Sequence, residues 1–229
     1  MATEETQDST SDRREGEQAG CKRPVADGRF VAKLARARGI LSLLVMIPVA
    51  VLVAFSPFHF PAPSYGHLAC QCVGWLLFLI GAMLRWWATL YVGGKKSIAL
   101  ITDGAYSVTR NPLYLGTFLL ALSVGVLAQS ATFCAGVVVV GGFYLNTVSV
   151  EEHKLGLLYG DSFHAYCQRV PRFLPNFRLL QCPEILSVWH RGMRSELIRM
   201  CRWASIPFLC ELFNHLRAEA WWPIWFGLP

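Results

Sequence analysis

The 229-residue chain sets 21 Lys plus Arg against 15 Asp plus Glu, a net charge of +6, yet only 16% of its residues are charged and 54% are hydrophobic. Soluble domains carry about 25% charged residues, so an ordinary soluble domain is excluded. The charges are also segregated: residues 1–38 hold fifteen, 39–92 hold only Arg85, and 111–150 hold none. This is the pattern of a membrane protein. At about 20 apolar residues per crossing of a ~30 Å hydrocarbon core, the length admits four or five helices and no separate soluble catalytic domain.

Residues 1–28 mix both charge signs with Ser, Thr, Gly and Gln and show no apolar period; they predict a disordered cytoplasmic tail. Arg29 to Arg38 places Phe30, Val31, Leu34 and Ala35 at helical spacing among basic residues, as an interfacial helix would. The first apolar run starts near Ile40 after a polar lead of mixed charge, and is expected to remain as a span and not to act as a secretory signal.

Four spans are predicted, over about Ile40 to Phe60, Leu68 to Val92, Leu113 to Ala128 and Thr132 to Val150, with tight turns at Pro61 to Pro63 and at Gln129-Ser130. The third is short and needs Asn111 as its cap and Pro112 at its first position, where a missing N–H costs nothing. The expected architecture is all-α, a polytopic membrane helix bundle of four to five spans with short cytoplasmic helices. Residues 29–175 form its membrane domain.

Basic residues set the orientation. Arg23, Arg29, Lys33, Arg36 and Arg38 precede the first span, Lys95, Lys96 and Arg110 separate the second from the third, and Lys154, Arg169, Arg172 and Arg178 follow the fourth. The other two loops have none, which places the N-terminus and all the polar chemistry in the cytoplasm. The excess positive charge therefore serves orientation and anionic membrane lipids, not nucleic acid.

Residues 176–229 form a C-terminal helical segment. Glu196 to His215 is apolar enough for a fifth helix, interrupted by Arg199, Arg202 and Glu211, and the ending around Trp221-Trp222 resembles an interfacial aromatic anchor. Spanning and interfacial placement both fit. The eight cysteines, at 21, 70, 72, 134, 167, 182, 201 and 210, show no CxxC pair or metal-ligand spacing; they read as free buried thiols, with no metal.

Two clusters carry candidate chemistry. The first runs from Gly104 through Tyr106 to Arg110-Asn111-Pro112-Leu113-Tyr114-Leu115-Gly116. A helix start beside Arg110 would hold an anion at the membrane surface, although by itself Arg110 also fits as a topogenic charge and Tyr114 as an interfacial aromatic. The second cluster begins at Glu151-Glu152, abutting the uncharged stretch, and continues through Tyr159-Gly160-Asp161, Tyr166 and Arg169 to Val170-Pro171-Arg172-Phe173-Leu174-Pro175. Gly160-Asp161 predicts a stop and a fresh start, giving two short helices ended by Pro171. Read alone, the paired acids also fit a solvated loop beside the headgroups.

In this order, with one uncharged hairpin between them, the two clusters resemble the signature of the isoprenylcysteine carboxyl methyltransferase family and its phospholipid methyltransferase relatives: Arg-(His or Asn)-Pro-x-Tyr-x-Gly, then Glu-Glu, Tyr-Gly, a Tyr and Val-Pro-Arg-Phe-x-Pro. The resemblance covers roughly Arg85 to Pro175. It implies a membrane enzyme binding S-adenosylmethionine in a cytoplasm-facing pocket, with a lipophilic small molecule or lipid-modified substrate entering sideways from the bilayer. Carried over by position, Tyr106, Arg110, Asn111, Pro112, Tyr114, Glu151 and Glu152 would bind the cofactor. Arg110, Glu152, Tyr166, Arg169 and Arg172 would form the catalytic set that shapes the pocket and orients the acceptor.

The residue types suit such chemistry. Carboxylates and aromatic faces bind a sulfonium, and the rate comes mainly from holding the nucleophile in line. A carboxylate acceptor needs no base, whereas an amine would need one, with Glu151 or Glu152 as candidates. The isoprenylcysteine enzymes generally have His where this chain has Asn111; both can cap a helix, but only His relays a proton near neutral pH. No GxGxxG motif follows a strand. Arg85, about six residues inside the second span, either snorkels to the cytoplasmic interface or turns inward to pair with an acid. A membrane enone or sterol reductase using NADPH and a catalytically silent scaffold are the rival readings.

Overall fold

A computed structural model describes residues 44–56, 60, 64–92, 100–184 and 190–225, all within one unit spanning residues 41–229. The tail at 1–28, the interfacial helix at 29–38 and the basic residues Lys95 and Lys96 lie outside the described residues. Among the described residues the fold is all helical: α1 (Leu44–Ala54), α2 (Tyr65–Val92), a single turn α3 (Ala105–Val108), α4 (Pro112–Leu127), α5 (Ala131–Tyr159), α6 (Asp161–Arg169), a 3₁₀ turn (Phe177–Leu179) and α7 (His190–Ala218).

α2 and α4 form the central pair. The buried positions of α2 are Gly74, Phe78, Gly81, Arg85 and Ala88, and those of α4 include Pro112, Gly116, Leu120, Ser123 and Leu127. Spacings of three and four residues draw one narrow seam along each helix. Glycines let the two backbones touch, since a Cβ on Gly81 would lie 2.9 Å from the Gly116 carbonyl oxygen and one on Gly74 only 2.6 Å from Leu127 Cγ. Association through small residues is what helices use where no hydrophobic drive operates between them.

Apolar side chains point outward. Leu68, Leu76, Leu79, Ile80 and Met83 on α2 and Val138, Val139, Phe143, Leu145 and Val150 on α5 are exposed. Two described helices, α2 and α5, are long and apolar enough to cross a membrane, which together with the outward apolar faces makes this a membrane protein.

The turn between α4 and α5 lies where the sequence predicts it. Gln129 takes a left-handed φ of 53°, and the Ser130 hydroxyl oxygen caps α5 by accepting from the Phe133 N–H. The far end of α5 departs from expectation. Instead of breaking near Val150, the helix runs 29 residues to Tyr159, so Glu151 and Glu152 sit on its emerging turns and not on a short separate helix. Glu, His, Lys and Leu are all good enough helix formers to continue a helix already propagating. The predicted stop at Gly160, with φ 53°, is present and α6 follows directly.

α7 runs from the site end of the bundle to its opposite end. Glu196, near its start, reaches Arg85, whereas Asn214 Nδ2 donates to the Leu127 carbonyl at 2.9 Å and Arg217 Nε to the Ser56 carbonyl at 2.8 Å. Beyond α7, Trp222 Nε1 donates to the Ala54 carbonyl, and Phe55 stacks on Trp225 at 4.2 Å between centroids. Pro207 is accommodated inside the helix.

Candidate functional site

Two strips of chain zip together to build the site. Asn176 N–H donates to the Val108 carbonyl and Arg110 N–H to the Pro171 carbonyl at 2.9 Å, while Gly104 N–H donates to the Gln181 carbonyl and Gln181 N–H to the Ser107 hydroxyl oxygen. The fully buried Thr109 places its hydroxyl 3.3 and 3.2 Å from the carbonyl oxygens of Arg172 and Phe173. Residues 104–111 and 171–181 are thereby fixed as one layer. Gly104, with φ 60° and Tyr91 packed where a Cβ would stand, is a turn that only glycine fits.

Glu152 sits at the centre. Its Oε1 accepts from Asn111 Nδ2 at 3.0 Å and lies 3.5 Å from Arg110 Nη1, while its Oε2 lies 3.1 Å from Arg172 Nε. The second hydrogen of the Asn111 amide goes to the Arg172 carbonyl at 3.2 Å, and Arg172 Nη2 donates to the Ser149 hydroxyl oxygen at 2.7 Å. Asn111 therefore occupies the cap position of α4 but its side chain does not cap the helix; the predicted cap is instead a cross-link between both clusters. The carboxylate draws the amide away, because a charge-assisted bond is stronger than a neutral cap.

Glu151, one residue along and 100° around the helix, faces elsewhere. Its Oε2 accepts from the Tyr114 hydroxyl at 2.9 Å, and the Tyr114 and Tyr144 rings tilt together with centroids 6.1 Å apart. A carboxylate beside two aromatic rings is a setting for a cation. Tyr166 donates its hydroxyl to the Tyr106 carbonyl at 2.8 Å from the small core of Phe163, Tyr166 and Val170. Burial pushes both phenols well above their usual range, with Arg110 opposing the rise at Tyr166 and Arg85 opposing it at Tyr106. Both rings stay neutral.

The structure thus gathers Arg110, Asn111, Tyr114, Glu151, Glu152 and Arg172 around the α4–α5 cleft, with Pro112 buried at the α4 start and Tyr106 and Tyr166 beneath. Arg169 lies exposed on α6, and none of these contacts reaches it. Two guanidinium atoms, Arg110 Nε and Arg172 Nε, are buried without hydrogen-bond partners among the described residues; the 3.1 Å approach of the latter to Glu152 is an ion pair whose angle makes no hydrogen bond. The sequence did not single out Thr109 or Ser149. The spacing of Ser149 three residues before Glu152, on the same helix face, was the available signal.

Residues 65–162 match the family model described as phospholipid methyltransferase, a stretch that holds the Arg110 to Gly116 cluster and both glutamates. Protein-S-isoprenylcysteine O-methyltransferase B of Arabidopsis thaliana is 28% identical over 113 residues, covering 44% of this chain and 57% of its own length. These likenesses support the isoprenylcysteine and phospholipid methyltransferase family for this chain. The chain is also similar to two proteins named for metal resistance. Nickel-cobalt-cadmium resistance protein NccN of Alcaligenes xylosoxydans xylosoxydans is 29% identical over 162 residues, 70% of this chain and 76% of that one. Cobalt-zinc-cadmium resistance protein CzcN of Cupriavidus metallidurans is 30% identical over 143 residues, 62% and 66% of the two chains. No solved structure is a significant match. Among the described residues, no three His, Cys, Asp and Glu side chains come together as a metal site.

Proposed function

We propose that this protein is a membrane methyltransferase that uses S-adenosylmethionine to methylate a lipophilic acceptor, a lipid-borne carboxylate or amine, at the cytoplasmic face of the bilayer. The observation that carries the reading is the pairing of opposite characters in one cleft. Arg110 keeps a buried Nε without a hydrogen-bond partner among the described residues, Arg172 is paired through its Nε with Glu152, and the Glu151 carboxylate stands beside Tyr114 and Tyr144. A zwitterionic, sulfonium-bearing ligand asks for that combination, with donors for its carboxylate and a carboxylate with aromatic faces for its cations.

The cofactor would supply an activated methyl group. This chain's residues do the rest. The Arg110 guanidinium supplies positive charge for an anionic group, Glu152 locks the guanidinium planes of Arg110 and Arg172, and Asn111 fixes Glu152 against the 171–176 strip. Tyr114 orients Glu151. Transfer to a carboxylate needs no base, so the contribution of the cleft is alignment and exclusion of water.

Five crossings fit this reading. Four are α1, α2, α4 and α5, alternating with the basic loops. The fifth is α7, supported by its contacts at both ends of the bundle: Asn214 lies 18 residues after Glu196, about 27 Å at a 1.5 Å rise per residue. Arg191, Arg194, Arg199 and Arg202 all fall in its first half, the cytoplasmic half on this topology.

The test is calorimetry on purified protein in detergent with S-adenosylmethionine and, separately, NADPH. Binding of the first and not the second is expected. Binding of NADPH alone would replace the reading with a reductase, and binding of neither with a scaffold.

A further inference from the structure

We propose that Glu196 acts through Arg85 and Thr117 as a positioning relay that fixes the first turns of α4, and with them Arg110 and Asn111. The proposal rests on the cleft being the methyl-transfer site. Arg85 turns inward, the second of the two fates its sequence position allows, and its partner is neither Glu151 nor Glu152 but a residue of α7 outside the family-matched stretch.

Arg85 is 8% exposed and Glu196 2%. Arg85 Nε and Nη2 both donate to Glu196 Oε1, at 3.1 and 2.8 Å, and Glu196 Oε2 is bound by Arg199. The remaining terminal nitrogen, Nη1, donates to the Thr117 hydroxyl oxygen at 2.5 Å, and that hydroxyl donates at 2.7 Å to the carbonyl of Leu113. The chain of bonds therefore begins on α7, crosses α2 and ends one residue past Pro112. Gly116 provides the passage, because a Cβ there would meet Arg85 Cγ at 2.7 Å.

The helix start needs such a hold. Pro112 has no N–H, and the Asn111 side chain is committed to Glu152 and makes no cap. In a site this dry, a guanidinium without its carboxylate is strongly disfavoured, so the relay forms as a unit or not at all. Lysine could not replace Arg85, since one ammonium cannot bridge two helices with the geometry of a fork.

A simple tie holding α7 to α2 would show the same ion pair, and Thr117 separates the two ideas. Thr117→Val removes the link to α4 while leaving Arg85 on Glu196; Thr117→Ser restores the hydroxyl. The experiment measures amide hydrogen exchange over residues 110–116, and turnover, on the full chain in detergent for these two variants and Glu196→Gln. Thr117→Val and Glu196→Gln should speed exchange about tenfold or more and lower kcat by about ten- to a hundredfold, the scale of an ångström of misplacement. Thr117→Ser should match the unsubstituted protein.

Unchanged exchange and kcat in Thr117→Val would overturn the relay and leave the pair as a tie. If Glu196→Gln does not fold, Thr117→Val decides alone. Failure of the unsubstituted protein to bind S-adenosylmethionine would remove the proposed function, but the exchange data would still settle the relay.

Discussion

Asn111 gives one amide hydrogen to Glu152 Oε1 at 3.0 Å and the other to the Arg172 carbonyl at 3.2 Å. Through this one side chain the start of α4, the emerging turns of α5 and the strip after α6 are joined, and the consequences differ from those of a helix cap.

A cap would tolerate Asp or Ser at position 111. A two-donor cross-link does not. Asn111→Asp sets a second carboxylate against Glu152, and Asn111→Ser is too short to reach both partners. Each should lower the thermal midpoint in detergent, by a loss of about 1 to 2 kcal/mol for this half-buried, charge-assisted bond. Asn111→His, which keeps a ring N–H, should fall between them and the parent. Parent-like stability in the Asp variant would return Asn111 to the role of cap.

The two glutamates should separate by ligand. Glu151→Gln can still accept from Tyr114 but loses its charge, so it should weaken S-adenosylmethionine about five- to tenfold. The demethylated product lacks the sulfonium charge and should bind nearly as before. Equal weakening of both ligands would take Glu151 away from the sulfonium. Glu152→Gln, by contrast, releases Arg110 and Arg172 and should weaken both.

Alkaline pH offers a test of the buried tyrosines. Burial raises Tyr106 and Tyr166 above the ordinary value of about 10. Both states are protonated below that value, so the contribution is constant there. Above it the unfolded chain loses the protons first, and stability falls as pH rises toward the folded-state values. Thermal midpoints measured from pH 9 upward should therefore drop, and less steeply in Tyr166→Phe. The same slope in that variant would assign the loss to other groups.

Membrane sidedness is open to cysteine labelling in a background without the native thiols. Cysteines placed at Lys154 and Arg178 should react from one side and those at Ser64 and Glu219 from the other. Glu219 lies one residue past α7, so its reaction from the Arg178 side would show that α7 does not cross.

Much of the bundle was legible because apolar runs, Gly and Pro mark spans and turns locally: α2, α4 and the Gln129-Ser130 turn lie within a few residues of their predicted bounds. What escaped was decided by contacts distant in sequence. The continuation of α5 through Glu151 and Glu152 could not be read because paired acids also suit a loop; here Asn111, Arg110, Arg172 and Tyr114 satisfy them. The direction of Arg85 depends on an acid 111 residues away. The charges of α7, which lower its mean hydropathy, include Glu196, tied to α2, and Arg217, tied to the segment just after α1, and no local window contains those partners.

From Ala131 to Glu151, α5 is twenty-one residues of unbroken helix, about 30 Å at a 1.5 Å rise per residue and so one hydrocarbon thickness. The helix is a depth gauge. On the proposed topology, with the Ser130 turn at one boundary of the bilayer, the carboxylates would surface at the other, and methyl transfer would be confined to the plane of the headgroups. An acceptor whose reactive atom is tethered at that level arrives already at the right height, whereas one with its reactive atom halfway down an acyl chain passes underneath. Lengthening or shortening the surrounding lipids would shift this catalyst relative to its substrate without altering a single side chain.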